Sequence, residues 1–277
     1  MLLELAIADA YGAGFEYADE NIVNNDLSRY VQHPRFRLIP GNYTDDTQMS
    51  IAIAEVIVAQ APWTPEVLAE SFVRAFKHDS RLGYARNFYN FLVEIQNGAE
   101  FIAKIRPDSD KSGAAMRAAP IGVYSTPEKV IEATTIQAAI THNTPDGINA
   151  AVAAALMSHY FIYRLGPKSK LAQFLEAYVP GQWSKPWHGE VKSKGWMSVR
   201  AAITAVMRND SISELLQDCI AFTGDVDTVA AIAVAAGSCS EEITQDIPSH
   251  LVTGLENGAY GRNYLIELDR QLMSLVI

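Results

Sequence analysis

Thr44-Asp-Asp-Thr-Gln-Met-Ser-Ile-Ala-Ile-Ala-Glu-Val-Ile-Val58 opens on two adjacent carboxylates flanked by hydroxyls and runs directly into an apolar stretch. Met49, Ile51, Ile53, Val56 and Ile57 give that stretch a helical character, and Thr44 or Asp45 stands where a helix cap is expected. About 180 residues later the pattern returns: Gly224-Asp225-Val226-Asp227-Thr228 leads into Val-Ala-Ala-Ile-Ala. Alternating Val/Ile/Thr runs of strand type are almost absent. Alanine-rich segments such as Ala150–Ala155 suit closely packed helices. The expected fold is all-α, a single compact orthogonal multi-helix domain of roughly ten helices over residues 1–277, with its site on interhelical loops.

Punctuation places the other elements. Residues 2–13 have helical periodicity, and 14–43 are irregular, with turn signals at Asn24-Asn25-Asp26, His33-Pro34 and Pro40-Gly41. Thr64-Pro65-Glu66 and Ser125-Thr126-Pro127-Glu128 are helix starts with proline in the first turn. A helix is expected over 84–97, ending at Gly98, and a short one over 114–119, stopped by Pro120. Residues 105–113 and 141–147 read as loops. Further helices are expected at 148–163, 198–208, 211–220, 227–237 and 262–275. The segment 180–197 carries three of the four tryptophans and reads as a surface excursion.

Composition narrows the function. Hydrophobic residues make up 49% of the 277 and charged residues 19%, enough apolar surface for a core and too little charge for a disordered chain. A net charge of −10 argues against non-specific nucleic-acid binding, which needs basic patches. Cys219 and Cys239 have no CxxC or His/Cys ligand spacing, so neither a zinc finger nor a disulfide scaffold is expected. Glu4 and Asp9 interrupt the apolar N-terminus, and no apolar run reaches the ~20 residues that cross a bilayer. The expectation is a cytoplasmic protein with no membrane partner.

Taken singly, each acidic motif is explained by helix capping and the helix dipole. Taken together they oversupply carboxylates. Four of them, with two threonine oxygens, are a donor set for one or two hard cations such as Mg²⁺ or Mn²⁺. Glu16 follows a glycine-rich helix end, and alone it reads as a solvated side chain. His142 alone reads as a loop histidine. The glycines of Arg81-Leu-Gly-Tyr84 and Ser112-Gly-Ala-Ala-Met-Arg117 lie near helix starts, where backbone N–H groups can cradle phosphate.

In chain order, Asp9–Glu16, Gly41–Met49, Arg81–Tyr84, Ser112–Gly122, Thr141–Gly147, Gly224–Ala231 and Leu255–Arg262 resemble the ADP-ribosylglycohydrolase family, of the dinitrogenase-reductase-activating glycohydrolase type. That resemblance implies an all-α fold with a binuclear Mg²⁺ (or Mn²⁺) centre. It also implies hydrolysis of an ADP-ribosyl bond, on a modified protein or a small molecule. By position, Thr44, Asp45, Asp46, Asp225, Asp227 and Thr228 match the family's metal ligands. Glu16, with Asp45 and Asp46, falls in the catalytic group, and Glu16 matches a glutamate given an acid/base role in some members. Gly83, Tyr84, Ser112, Gly113, Met116, His142 and Asn143 fall in segments that hold ADP-ribose. The chain departs from the family pattern at Thr223-Gly224-Asp225, where Gly-Gly-Asp is usual, at Ala8-Asp9 for Gly-Asp, at Ser112 for Asn, and at Val226 between the aspartates. The alternatives are a catalytically silent ADP-ribose-binding or structural protein on the same fold, and a two-metal phosphoester hydrolase.

Overall fold

The computed structural model describes residues 1–276. Its helices are α1 (Leu2–Gly12), α2 (Asp45–Val58), α3 (Pro65–His78), α4 (Arg86–Glu94), α5 (Gly98–Lys104), α6 (Pro127–Ala139), α7 (Pro145–Ile162), α8 (Leu171–Tyr178), α9 (Gly195–Arg208), α10 (Ile212–Ala221), α11 (Val226–Gly237), α12 (Ser249–Gly254) and α13 (Arg262–Met273). Among the described residues there is no strand, only isolated bridges between loops. The fold is therefore all-α, as expected.

Burial decides the arrangement. Every residue of α11 is buried, and α1, α2, α7, α9 and α10 pack around it. Its sequence explains this: Val, Ala, Ile and Gly on all sides leave no face for water. α3 is the opposite case. Its apolar stripe of Leu68, Phe72, Val73 and Phe76 faces the core, and its polar residues cover the outside. Thr64, Thr126, Thr144 and Ser211 cap α3, α6, α7 and α10 through their side chains.

The two acidic helices are locked to the same spine. Asp9 of α1 is fully buried and accepts four hydrogen bonds from the start of α2. They come from Thr44 N (3.0 Å), Thr44 Oγ1 (2.7 Å), Thr47 N (3.0 Å) and Thr47 Oγ1 (2.5 Å). On its other side α1 touches α11: a Cβ added at Gly12 would lie 2.5 Å from Asp227 Cα, so only glycine permits this approach.

Three local readings need correction. Gly98 begins α5 rather than ending one long helix, because Asn97 caps a new start through Glu100 N. Residues 114–119 are not a helix; two 3₁₀ turns, Ser112–Ala114 and Ala119–Val123, take the chain past Pro120. The short α8 and α12 escaped the periodicity reading, as elements of eight and six residues do. Residues 180–197 run largely exposed, as expected of a surface excursion, but are pinned to the core by Trp183, Trp187 and Val191, which are 3%, 8% and 0% exposed.

The Gly12 contact gives a direct check. Gly12→Ala pushes backbone against backbone and is expected to cost about 1–3 kcal/mol, measured by urea denaturation; an unchanged midpoint would show that α1 and α11 are not wedged together.

Candidate active site

One cavity of about 600 Å³ gathers most of the residues that the sequence singled out. Glu16, Asp45, Asp46, Gly83, Ser112, Gly113, Met116, His142, Asp225, Asp227 and Thr228 all line it. They arrive from six separate chain segments, so the helix packing has converged on this space. Three expected residues are placed elsewhere. Thr44 is fully buried and spends its hydroxyl on Asp9. Tyr84 is turned inward, its hydroxyl donating to Gln48 Oε1 at 2.6 Å. Asn143 is exposed and is held through its backbone N–H, which donates to Pro107 O at 2.6 Å.

The capping question is settled by hydrogen bonds. Thr44 and Asp225 occupy the positions before α2 and α11, yet neither makes a side-chain cap bond. Asp9 satisfies the start of α2 instead. The carboxylates of Asp45 and Asp46 are thereby left for another use.

Their electrostatics are severe. Asp45 and Asp46 are pushed well above the usual carboxylate range, first by burial, then by Asp227 and Asp9. Asp227 is pushed the same way by burial, Glu16 and Asp225. Asp225 is raised by burial but pulled back by hydrogen bonds from Ser112, Ser198 and Thr228. Glu16 rises to about 8, through burial and then Asp225, Asp45 and Asp9. Glu16, Asp225 and Asp227 each offer an oxygen atom within 4.8 Å of the others. Asp46 Oδ1 is buried with no protein partner. An all-oxygen set with an orphaned, inward-facing carboxylate oxygen fits a hard divalent cation.

Loops hold these groups in place by close backbone contact. Gly83 has φ +114°, and a Cβ there would lie 2.1 Å from Asp45 Oδ1. Its loop is fixed by Arg81, which pairs with Asp79 and Glu256, donates to Tyr43 O at 3.1 Å and stacks on the Tyr43 ring at 3.7 Å. This joins the Arg81–Tyr84 and Leu255–Arg262 segments. The tryptophan segment clamps the second acidic loop: Val191 N donates to Thr223 O at 3.0 Å, and Asp225 N donates to Val191 O at 2.9 Å. It also grips the loop before Gly113, through Ser112 N to Ser193 O and Gly195 N to Asp110 O.

Several wall residues carried no signal in the sequence reading. Lys104, Arg106 and Lys111 line the cavity with Asp108 among them, and Asn87, Phe88 and Phe91 line it too. The basic residues lie in or beside a segment legible only as a loop, and the phenylalanines match ordinary core residues. Asp9 was visible only as part of a familial segment. Arg117 and Thr141 also line the cavity, from the ends of segments noted for their glycines and histidine.

The comparisons with known proteins agree along the whole chain. A family model described as ADP-ribosylglycohydrolase matches residues 1–276. The ADP-ribosylarginine hydrolase Tri1 of Pseudomonas putida is 26% identical over 251 residues, covering 84% of this chain and 67% of that protein. The ADP-ribosyl-[dinitrogen reductase] glycohydrolase of Rhodospirillum rubrum is 26% identical over 271 residues, 92% of this chain and 88% of that one. Human ADP-ribosylhydrolase ARH3 is 26% identical over 206 residues, 65% of this chain and 55% of its own length. A solved ADP-ribosylglycohydrolase-related protein complex superposes with a TM-score of 0.74 at 22% identity, covering 100% of this chain and 96% of that one, which shows the fold.

One departure from the family pattern has a physical cost. Thr223 stands where glycine is usual, and its φ is +64°, a left-handed conformation that a β-branched residue adopts at a penalty of about 1–2 kcal/mol. Thr223→Gly is expected to stabilise the protein by about 1 kcal/mol, read from thermal denaturation; a loss of stability would mean the loop is not strained there.

Proposed function

The chain belongs to the ADP-ribosylglycohydrolase family, and from that premise we propose that it is a divalent-cation-dependent hydrolase releasing ADP-ribose from a modified protein or small molecule. The observation that carries this reading is the presence of both charges within one cavity. Buried carboxylates of the two acidic turns line it together with Lys104, Arg106 and Lys111, which come from one stretch that also carries Asp108. An ADP-ribosyl group calls for both, with ribose hydroxyls at one end and a diphosphate in the middle. The volume of about 600 Å³ lies in the range of small-molecule sites.

Asp45, Asp46, Asp225, Asp227 and Thr228 are the proposed holders of two Mg²⁺, or Mn²⁺, ions. When bound, the cations would offset the carboxylate repulsion, polarise ribose hydroxyls and make water more acidic. The chain's own groups then do the rest. The carboxylates stabilise positive charge developing at the anomeric carbon. Glu16 sits half-buried on the wall, where burial and then Asp225, Asp45 and Asp9 raise it to about 8 in the cation-free site, and a carboxyl so placed is suited to protonate a leaving group. The basic residues orient the diphosphate, and the buried floor keeps bulk water from the reacting carbon. The proposed setting is cytoplasmic. No helix among the described residues is long and apolar enough to cross a membrane, and both cysteines are free.

A second reading of Glu16 rests on geometry. Its oxygen is grouped with those of Asp225 and Asp227, which equally suits a metal ligand. Glu16→Gln separates the two: slowed turnover with cation affinity kept assigns acid/base work, and lost affinity assigns ligation. For the reaction itself, a panel of ADP-ribosylated substrates is incubated with Mg²⁺ and with EDTA, and free ADP-ribose is measured. Release from one linkage that stops in EDTA and in Asp227→Ala is expected. AMP or inorganic phosphate as product would replace the reading with phosphoester hydrolysis, and tight ADP-ribose binding without any release would replace it with a binding protein.

Proton and cation should compete. A carboxyl raised in the folded state is a burden that grows as pH rises from its unfolded value towards its folded one, here about 8 for Glu16. The melting-temperature gain from added Mg²⁺ is therefore expected to be small near pH ~5 and largest near pH ~8; an equal gain at both would contradict binding at these carboxylates.

A further inference from the structure

Arg117 heads the fully buried side chains by size, at 1% exposure, and makes no ion pair. Its guanidinium stacks on Phe72 at 4.4 Å and donates to neutral groups. Nε donates to Gln137 Oε1 at 2.7 Å, and Nη2 to Gln137 O at 3.2 Å and to Thr141 Oγ1 at 2.9 Å. Thr141 Oγ1 in turn lies 2.7 Å from His142 Nδ1. Burying an unpaired guanidinium beside a cavity is costly, so what it holds there matters.

The hydrogens along this chain can be counted. A guanidinium only donates, so one lone pair of Thr141 Oγ1 is taken. Thr141 is 4% exposed, and His142 Nδ1 is the remaining partner of its hydroxyl. If Nδ1 carried a proton, Oγ1 would accept twice and its own hydrogen would be buried with nowhere to go. The satisfied arrangement has Thr141 donating to Nδ1. A neutral imidazole accepting at Nδ1 carries its hydrogen on Nε2. That nitrogen has no hydrogen bond to the protein, and it faces Gly113, where an added Cβ would lie 3.1 Å from His142 Cε1 and 3.4 Å from Nε2.

We infer that Arg117, acting through Thr141, is a positioning residue that fixes His142 in the neutral Nε2–H form, making it a hydrogen-bond donor at the cavity wall. Burial and the neighbouring Arg117 charge hold the ring's pKa down to about 3, against a weaker pull from Asp110, so the ring stays neutral. The group it meets is a hydrogen-bond acceptor, a phosphate or hydroxyl oxygen rather than an ammonium. Only that last step rests on the ADP-ribosyl reading; the tautomer belongs to the protein alone.

The test is NMR of the ¹⁵N-labelled full chain. Correlations from the ring carbon-bound hydrogens to both nitrogens report which nitrogen is protonated, and His142→Gln identifies the signals. A single Nε2–H form is expected in the unmodified protein and in Thr141→Ser, which keeps the hydroxyl. Arg117→Met, which frees the Thr141 hydroxyl to accept from Nδ1, is expected to bring in the Nδ1–H form. With substrate, Arg117→Met should raise KM about tenfold, the loss of one good hydrogen bond, with kcat little changed. A proton on Nδ1 in the unmodified protein, or an undisturbed Nε2–H form in Arg117→Met, would overturn the inference. Failure to hydrolyse any substrate would instead fault the functional reading, and the spectra would still decide the tautomer.

Discussion

The site depends on α1. Its one buried carboxylate, Asp9, takes both threonines of the Thr44–Thr47 turn, and three residues later Gly12 lets α11 approach until backbone meets backbone. The starts of two apolar helices, far apart in sequence, are thus fixed to a single rod. Because Asp9 meets the hydrogen-bonding needs of the α2 start, Asp45 and Asp46 need not fold back as caps. The same device that orders the turn leaves free the two carboxylates proposed to hold cations.

Releasing them creates a conflict. Five carboxylates, Glu16, Asp45, Asp46, Asp225 and Asp227, face one cavity; burial pushes every one of them up, and mutual repulsion adds to it at Glu16, Asp45, Asp46 and Asp227. The helix dipoles at α2 and α11 relieve part of this, each worth at most about 1–2 kcal/mol. The remainder is carried by the surrounding structure: Gly83 pressed on Asp45, Thr223 held left-handed, and the tryptophan segment stitched to both flanking loops. Local strain sustained by a rigid frame is the pattern expected where function overrides stability. A bound cation would reverse the balance, turning a repulsive cluster into a coordinating one.

The sequence showed the fold class because its signals were strong and repeated: apolar helices such as α2, α7 and α11, proline-led starts at Pro65 and Pro127, and a lack of strand-like runs. It showed the two acidic turns because identical residue types recur in identical contexts. What stayed illegible has a common cause. Tyr84, Asn143 and Thr44 sit in segments that do reach the cavity, but which side chain turns inward is decided by tertiary partners, Gln48 for Tyr84 and Asp9 for Thr44. The burial of Trp183 and Trp187 depends on what packs over them, and Pro-Gly punctuation alone reads as surface. Lys104, Arg106 and Lys111 reach the wall only once α5 and its following loop are folded.

The central claim is that these carboxylates hold divalent cations. The most direct measurement is a crystal structure grown with Mn²⁺, with diffraction recorded at the manganese absorption edge. Anomalous peaks bounded by Asp45, Asp46, Asp225 and Asp227 are expected, with Glu16 alongside. A cavity without any peak at saturating Mn²⁺, or peaks only at other acidic groups, would contradict it.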